Sequence, residues 1–176
     1  MKTVSIVKLM CLAMLLTLAS LAFARGTYQE PADFISEVFT GKPPQAKALW
    51  LTADMELEAG KILGHPFVQR RVRYWQVGER SAWVLDEIGK EEPITTGIVI
   101  NAGKIEQVRV LVYRESRGAE VRYPRFTGQF TGARLKNQQE LDRDIDVISG
   151  ATLSVNALTR LARLALYLAG QVQAGK

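Results

Sequence analysis

Two apolar runs, residues 94–100 and 105–113, flank Asn101-Ala102-Gly103-Lys104, and they restrict the fold more than any other stretch. In the second run Val108, Val110 and Val112 alternate with Arg109 and Leu111, the period of a strand with unlike faces. The turn between them contains glycine and has the length of a hairpin connection. Upstream, Val68, Val72 and residues 74–77 suggest another strand, Gly78-Glu79-Arg80 a turn, and residues 82–85 a further strand ending before a turn at Gly89-Lys90. Short strands joined by tight turns predict an antiparallel sheet.

Helical spacing brackets these strands. Pro31 can open a helix in which Phe34, Ile35, Val38 and Phe39 recur before Gly41, and Pro43-Pro44 breaks the chain. A second helix is expected from near Thr52, a capping residue, to Gly64, with Met55, Leu57, Ile62 and Leu63 apolar. The most regular helix comes last, over residues 153–171. Leu153, Ala157, Leu158, Leu161, Leu164, Ala165 and Leu168 form its stripe, with Arg160 and Arg163 outside it. Residues 117–137 read as loop; their repeat Phe126-Thr127-Gly128-Gln129-Phe130-Thr131-Gly132 is too short for a solenoid. The fold class expected is α+β in one domain, an antiparallel sheet with flanking helices and a C-terminal helix. Trp50, Trp75 and Trp83 are expected in the core.

Residues 1–24 read as a cleavable signal peptide. Lys2 and Lys8 precede a charge-free apolar run, 9–24, that ends in Ala22-Phe23-Ala24, so Arg25 is the expected first mature residue. The run is short of the ~20 residues of a membrane span; the alternative is an uncleaved anchor to the inner membrane. Cys11 is the sole cysteine and lies at the start of the run, which excludes a lipoprotein signal and leaves a mature chain without thiols. Removing Lys2 and Lys8 leaves 21 basic against 18 acidic residues, a net charge of +3 instead of +5. With acidic residues interspersed, that is too weak to argue for a nucleic-acid partner, and none is expected.

Ser149-Gly150-Ala151-Thr152 stands directly before the last helix. A helix N-terminus offers unpaired N–H groups and partial positive charge, a seat for phosphate. Capping by Ser149 or Thr152 is the plainer alternative, and spacing leaves both open. Neither G-x-x-x-x-G-K-[ST] nor G-x-G-x-x-G occurs, and there is no G-x-S-x-G elbow. His65 is the only histidine, so zinc and haem sites are not expected. Glu91-Glu92 reads as a solvated turn, and Arg70, Arg71 and Arg73 as strand residues facing solvent.

Asp146-x-x-Ser149-Gly150-Ala151-Thr152 resembles the flavinylation motif D-x-x-[ST]-G-A-T of the FMN-binding domain, found in subunits of the sodium-pumping NADH:quinone oxidoreductase, in the Rnf complex and in small exported flavoproteins. Phe126-x-Gly128-Gln129-Phe130-x-Gly132 is similar to that family's F-x-x-Q-F-x-G segment. Glu115-Ser116-Arg117-Gly118 stands where the family often has E-T-P-G, with Ser-Arg in place of Thr-Pro. The likeness is strongest over residues 94–168, and the domain is taken as residues 25–176.

The resemblance implies FMN joined through its phosphate to Thr152 by a flavin transferase that uses FAD. It implies a cofactor site of Asp146, Ser149, Gly150, Ala151, Thr152 and Leu153, with Glu115, Tyr113 and Phe130 from the other segments. Ser149 and Ser154 are the rival hydroxyls, and Tyr123 and Phe126 are further ring candidates. The role implied is an exported, periplasmic electron carrier whose donor or acceptor is a membrane redox complex or cytochrome. Two other roles stay open: a flavin-dependent reductase of a small substrate, with His65, Tyr113 or Glu115 as proton donor, and a non-redox flavin-sensing or docking module.

Overall fold

A computed structural model of the chain describes residues 26–137 and 139–175; the expected signal peptide and Arg25 lie outside them. Six antiparallel strands form one sheet in the order β1-β6-β5-β4-β3-β2. In chain order the strands are β1 (Gly26–Thr27), β2 (Lys47–Trp50), β3 (Arg71–Val77), β4 (Arg80–Ile88), β5 (Pro93–Asn101) and β6 (Lys104–Tyr113). The helices are α1 (Pro31–Val38), α2 (Ala53–Leu63), the single turn α3 (Pro124–Thr127) and α4 (Thr152–Ala174). The chain is α+β, as the patterning predicts.

Local chemistry sets the helix ends. Pro31 occupies the first turn of α1, where its missing N–H costs nothing. Thr52 accepts a hydrogen bond from the Met55 N–H at 3.3 Å, and Gly64 closes α2 in the left-handed region at φ 77°. Asp54 and Glu56 in the first turn and Lys61 in the last complement the helix dipole.

The two faces of the sheet are covered unequally. On one, α2 and α4 pack over Val72, Tyr74, Trp83, Leu85, Ile98 and Val108 in the main core. Tyr74 stacks on Trp83 with centroids 5.0 Å apart. Leu158, Leu161 and Leu168 of α4 are wholly buried there, each stabilising the fold by roughly 2 kcal/mol. On the other face α1 sets Phe34, Ile35 and Val38 against Ala82, Val99 and Leu111. The Phe34 ring lies so close over Gly97 that a Cβ there would come within 2.5 Å of it.

β6 departs from simple alternation. Thr95 pairs with Val112 but Thr96 with Val110, so Leu111 is a bulge; Val99 pairs with Gln107 but Ile100 with Ile105, so Glu106 is another. A single extra residue swaps the faces of everything beyond it. Val112, expected beside Val108 and Val110, therefore packs with the α1 cluster, while Tyr113 turns into the main core.

Other expectations change too. β2, and the two residues of β1, are strands that the patterning misses: β2 pairs Trp50 with Arg71 on one edge and β1 pairs Gly26 with Tyr113 on the other. Such short edge strands have too few residues to show a period. β3 begins at Arg71, leaving Val68 at 86% exposure. Trp83 is buried and Trp75 half-buried, but Trp50, expected in the core, is 67% exposed, since the open face beside it has no helix over it. Residues 117–137 contain α3 and two 3-10 turns, Ala119–Arg122 and Gly128–Phe130. Arg160, outside the apolar stripe, reaches Glu87 at 2.8 Å, and that buried carboxylate also faces His65 Nε2 at 3.1 Å.

Candidate functional site: the head of the C-terminal helix

The last helix begins without a side-chain cap. Its N-cap residue is Ala151, no side chain accepts from the first-turn N–H groups, and no acidic residue lies in that turn. Capping by Ser149 or Thr152 is thus not what this stretch does. Gly150, at φ +81°, makes the turn into the helix in a conformation that a side chain would strain, and the Ala151 N–H donates to Ile148 O at 2.9 Å. A long helix with bare first-turn donors is an electropositive end.

Three hydroxyls stand near this end and the structure separates them. Thr152 is exposed on the first helical residue. Ser154 is buried and 2.8 Å from Tyr113 Oη. Ser149 is exposed on the preceding turn. A cavity of about 530 Å³ opens at Thr152, lined also by Gly150, Ala151, Leu153 and Ser154 from the helix head and by Lys90, Glu115, Ser116 and Arg117 from across the gap. Ser149 is not among its walls.

The far wall is built from the end of β6. The Tyr113 hydroxyl donates to Arg117 O, so the Ser154 hydroxyl is the donor to Tyr113. Burial pushes the Tyr113 phenol above its ordinary range, against the opposing pull of the Ser154 hydrogen bond. Gly118 completes the bend at φ +85°, where a Cβ would meet Tyr113 Oη at 2.9 Å and Ser154 Oγ at 3.0 Å. Glu115 turns inward and Oε1 accepts from the backbone N–H of Lys90, of Glu91 at 2.7 Å and of Glu92 at 3.0 Å. Burial alone would raise this carboxyl, but the three N–H donors outweigh it and hold Glu115 below the usual carboxylate range. The loop from β4 to β5 is thereby fixed to the β6 exit, with the Lys90 side chain at the cavity and paired to Glu91 at 2.8 Å.

Of the site residues expected from sequence, Gly150, Ala151, Thr152, Leu153 and Glu115 meet at this cavity, and Tyr113 supports it from beneath. Asp146 lines a separate cavity of about 500 Å³ with Tyr123, Phe126, Gln129, Val147 and Ile148. Phe130 is wholly buried in the main core, edge-on to Phe126 at 5.7 Å. Sequence reasoning did not single out Lys90, Ser116, Arg117 or Gln129. The Gln129 side chain accepts from the Asp146 N–H at 2.9 Å, which ties the Phe126-to-Gly132 segment to the start of the motif. Arg117 had a signal, since it replaces the proline of the related tetrapeptide. Lys90 had none, because its place depends on a partner 25 residues away.

The proton donors considered for a reductase are placed unfavourably. Glu115 is held as a carboxylate, the Tyr113 hydroxyl is committed to Arg117 O, and His65 sits on Glu87 and does not line the cavity.

A bare helix N-terminus facing a cavity with lysine and arginine suits a phosphate group. Residues 89–167 match the family model of the FMN-binding domain, from the loop after β4 into α4, and the match supports flavin binding by this part of the chain. No curated protein and no solved structure matches the chain. The residues at the helix head fit FMN: open N–H donors and two cations suit its phosphate, and the cavity is within the ~300–1,000 Å³ range of small-molecule sites.

Proposed function

We propose that the protein is an exported electron-transfer protein carrying FMN covalently, its phosphate esterified to Thr152. The observation that carries this reading is the uncapped head of α4, with Thr152 the one exposed hydroxyl of the three that also lines the cavity. FMN supplies the redox chemistry when bound.

The residues of the chain do the rest. The Thr152 oxygen attacks the FMN phosphorus of FAD in a flavin transferase; an O–P bond forms, the pyrophosphate bond breaks, and AMP leaves with the hydroxyl proton lost to solvent. The first-turn N–H groups of α4 then face the remaining negative charge, and Lys90 and Arg117 offset it from across the cavity. Tyr113 and Ser154 fix the distance between the two walls. An ester makes the cofactor proof against dilution, which suits a protein working outside the cytoplasm. Its partners are the transferase and, as donor or acceptor, a membrane redox complex or cytochrome.

Intact-mass spectrometry of the protein made beside a flavin transferase tests this. The wild type gains the mass of one FMN residue and keeps flavin fluorescence after denaturation, whereas Thr152→Ala gains nothing. Full modification of Thr152→Ala, or an unmodified wild type, would overturn the assignment.

A further inference from the structure

The sheet face that carries α1 is only half covered. α1 rests on Ala82, Val99 and Leu111, residues of β4, β5 and β6, and reaches Trp75 of β3, but leaves β2 and, in β3, Arg71 and Arg73 exposed on that side. Arg71, Arg73 and Trp75 follow one another on this face of β3, and Trp50, paired with Arg71 across the strands, lies with its ring 5.6 Å from the Arg71 guanidinium. Arg71, Arg73 and Trp75, with Pro31, Ala32 and Gln69, line a concavity of about 480 Å³ whose walls contain two arginines and no carboxylate; Trp50 stands outside it. Residues 39–53 and 59–78 contain no aspartate or glutamate at all. The acidic residues between them, Asp54, Glu56 and Glu58, belong to α2, which packs on the opposite face. Asp86 shares the open face but accepts from Thr95 Oγ1 at 2.5 Å. Among the described residues Arg70, Arg71 and Arg73 form no ion pair, and all three are exposed.

The corner also projects apolar side chains. Trp50, across the strands from Arg71, is 67% exposed, and Val68, two residues before Arg70, is 86% exposed. Arginines beside a protruding tryptophan match the headgroup layer of an anionic bilayer, where cations meet phosphate and the indole spans the polar–apolar boundary. An acidic protein partner would need a shaped counterpart for Trp50 and Val68; a bilayer requires only charge and side chains that stand proud.

We propose that this corner, Trp50, Val68, Arg70, Arg71 and Arg73, docks the domain on anionic phospholipid. The contact is independent of the flavin and presents the domain to a membrane in a fixed orientation. A contact of this kind draws about 1 kcal/mol from each basic residue near the surface, about a five-fold change in partition.

Co-sedimentation of the mature protein with vesicles of phosphatidylcholine, with and without phosphatidylglycerol, tests it. Binding is expected on the anionic vesicles only, falling with salt. Replacing Arg70, Arg71 and Arg73 together by glutamine should weaken it by about 100-fold, while replacing all three by lysine preserves it, each variant being checked by circular dichroism. Trp50→Phe should remove the blue shift of tryptophan emission on binding. Equal binding to neutral vesicles, no binding, or undiminished binding by the glutamine variant would overturn the proposal. Capture by polyglutamate without capture by anionic vesicles would do so too, and would assign the corner to an acidic protein.

Discussion

Tyr113 Oη and Ser154 Oγ lie 2.8 Å apart, joining the last residue of β6 to the first turn of α4. The same phenol donates to Arg117 O, so one hydroxyl spaces both walls of the Thr152 cavity. Tyr113→Phe leaves the buried Ser154 hydroxyl and the partly buried Arg117 carbonyl short of a partner. The loss should be about 1–2 kcal/mol by urea denaturation, with slower flavin loading. Unchanged stability would mean that water replaces the phenol at no cost.

Gly118→Ala should be worse, by roughly 2–3 kcal/mol, because it combines a left-handed backbone with a Cβ pressed on that hydrogen bond. Gly150→Ala has the same kind of backbone strain but open space around its Cβ, so about 1 kcal/mol is expected. Thermal melts of the two variants should rank them in that order; equal shifts would contradict the packing argument.

Glu115 makes stability depend on pH with a definite sign. Its folded carboxyl titrates below the ordinary range, so its contribution is present above the unfolded glutamate range and is lost as pH falls through the folded value. Glu115→Gln should therefore reduce stability at neutral pH by about 2 kcal/mol, with the gap to wild type closing on acidification. A gap that widens toward acid would refute the three-donor account.

Glu87 is a buried carboxylate shared by Arg160 and His65. Glu87→Ala leaves Arg160 without that partner and should cost roughly 3 kcal/mol in chemical denaturation. The flavin-transfer reaction should be unaffected in the fraction that stays folded, since none of the three residues lines the Thr152 cavity.

Asp146 is exposed and opens on a different cavity from Thr152. Asp146→Ala should change stability by less than about 0.5 kcal/mol yet lower the fraction of protein modified by the transferase, a role toward the modifying enzyme. A fully flavinylated Asp146→Ala protein, measured by intact mass, would remove Asp146 from the reaction.

Features that depend on neighbours along the chain were legible before folding was considered. Period and punctuation gave the β5–β6 hairpin, the Thr52 and Gly64 limits of α2, and the long apolar helix after the D-x-x-S-G-A-T run. The motif located Thr152, since a helix N-terminus is a local property of the backbone. That Ser154 was not an open hydroxyl depended on Tyr113, 41 residues away.

The rest was settled only when distant segments met. The Leu111 bulge exists because β6 pairs with β5 out of step, and it turns Tyr113 toward α4 where simple alternation would face it the other way. Lys90 reaches the site because Glu115 gathers three N–H groups from the β4–β5 loop. Trp50 is exposed because α1 is too short to cover the sheet as far as β2. The sequence by itself determined the strand and helix periods and the motif that ends in Thr152; the tertiary structure decided which residues face Thr152, because burial and long-range hydrogen bonds are properties of pairs that the chain holds far apart.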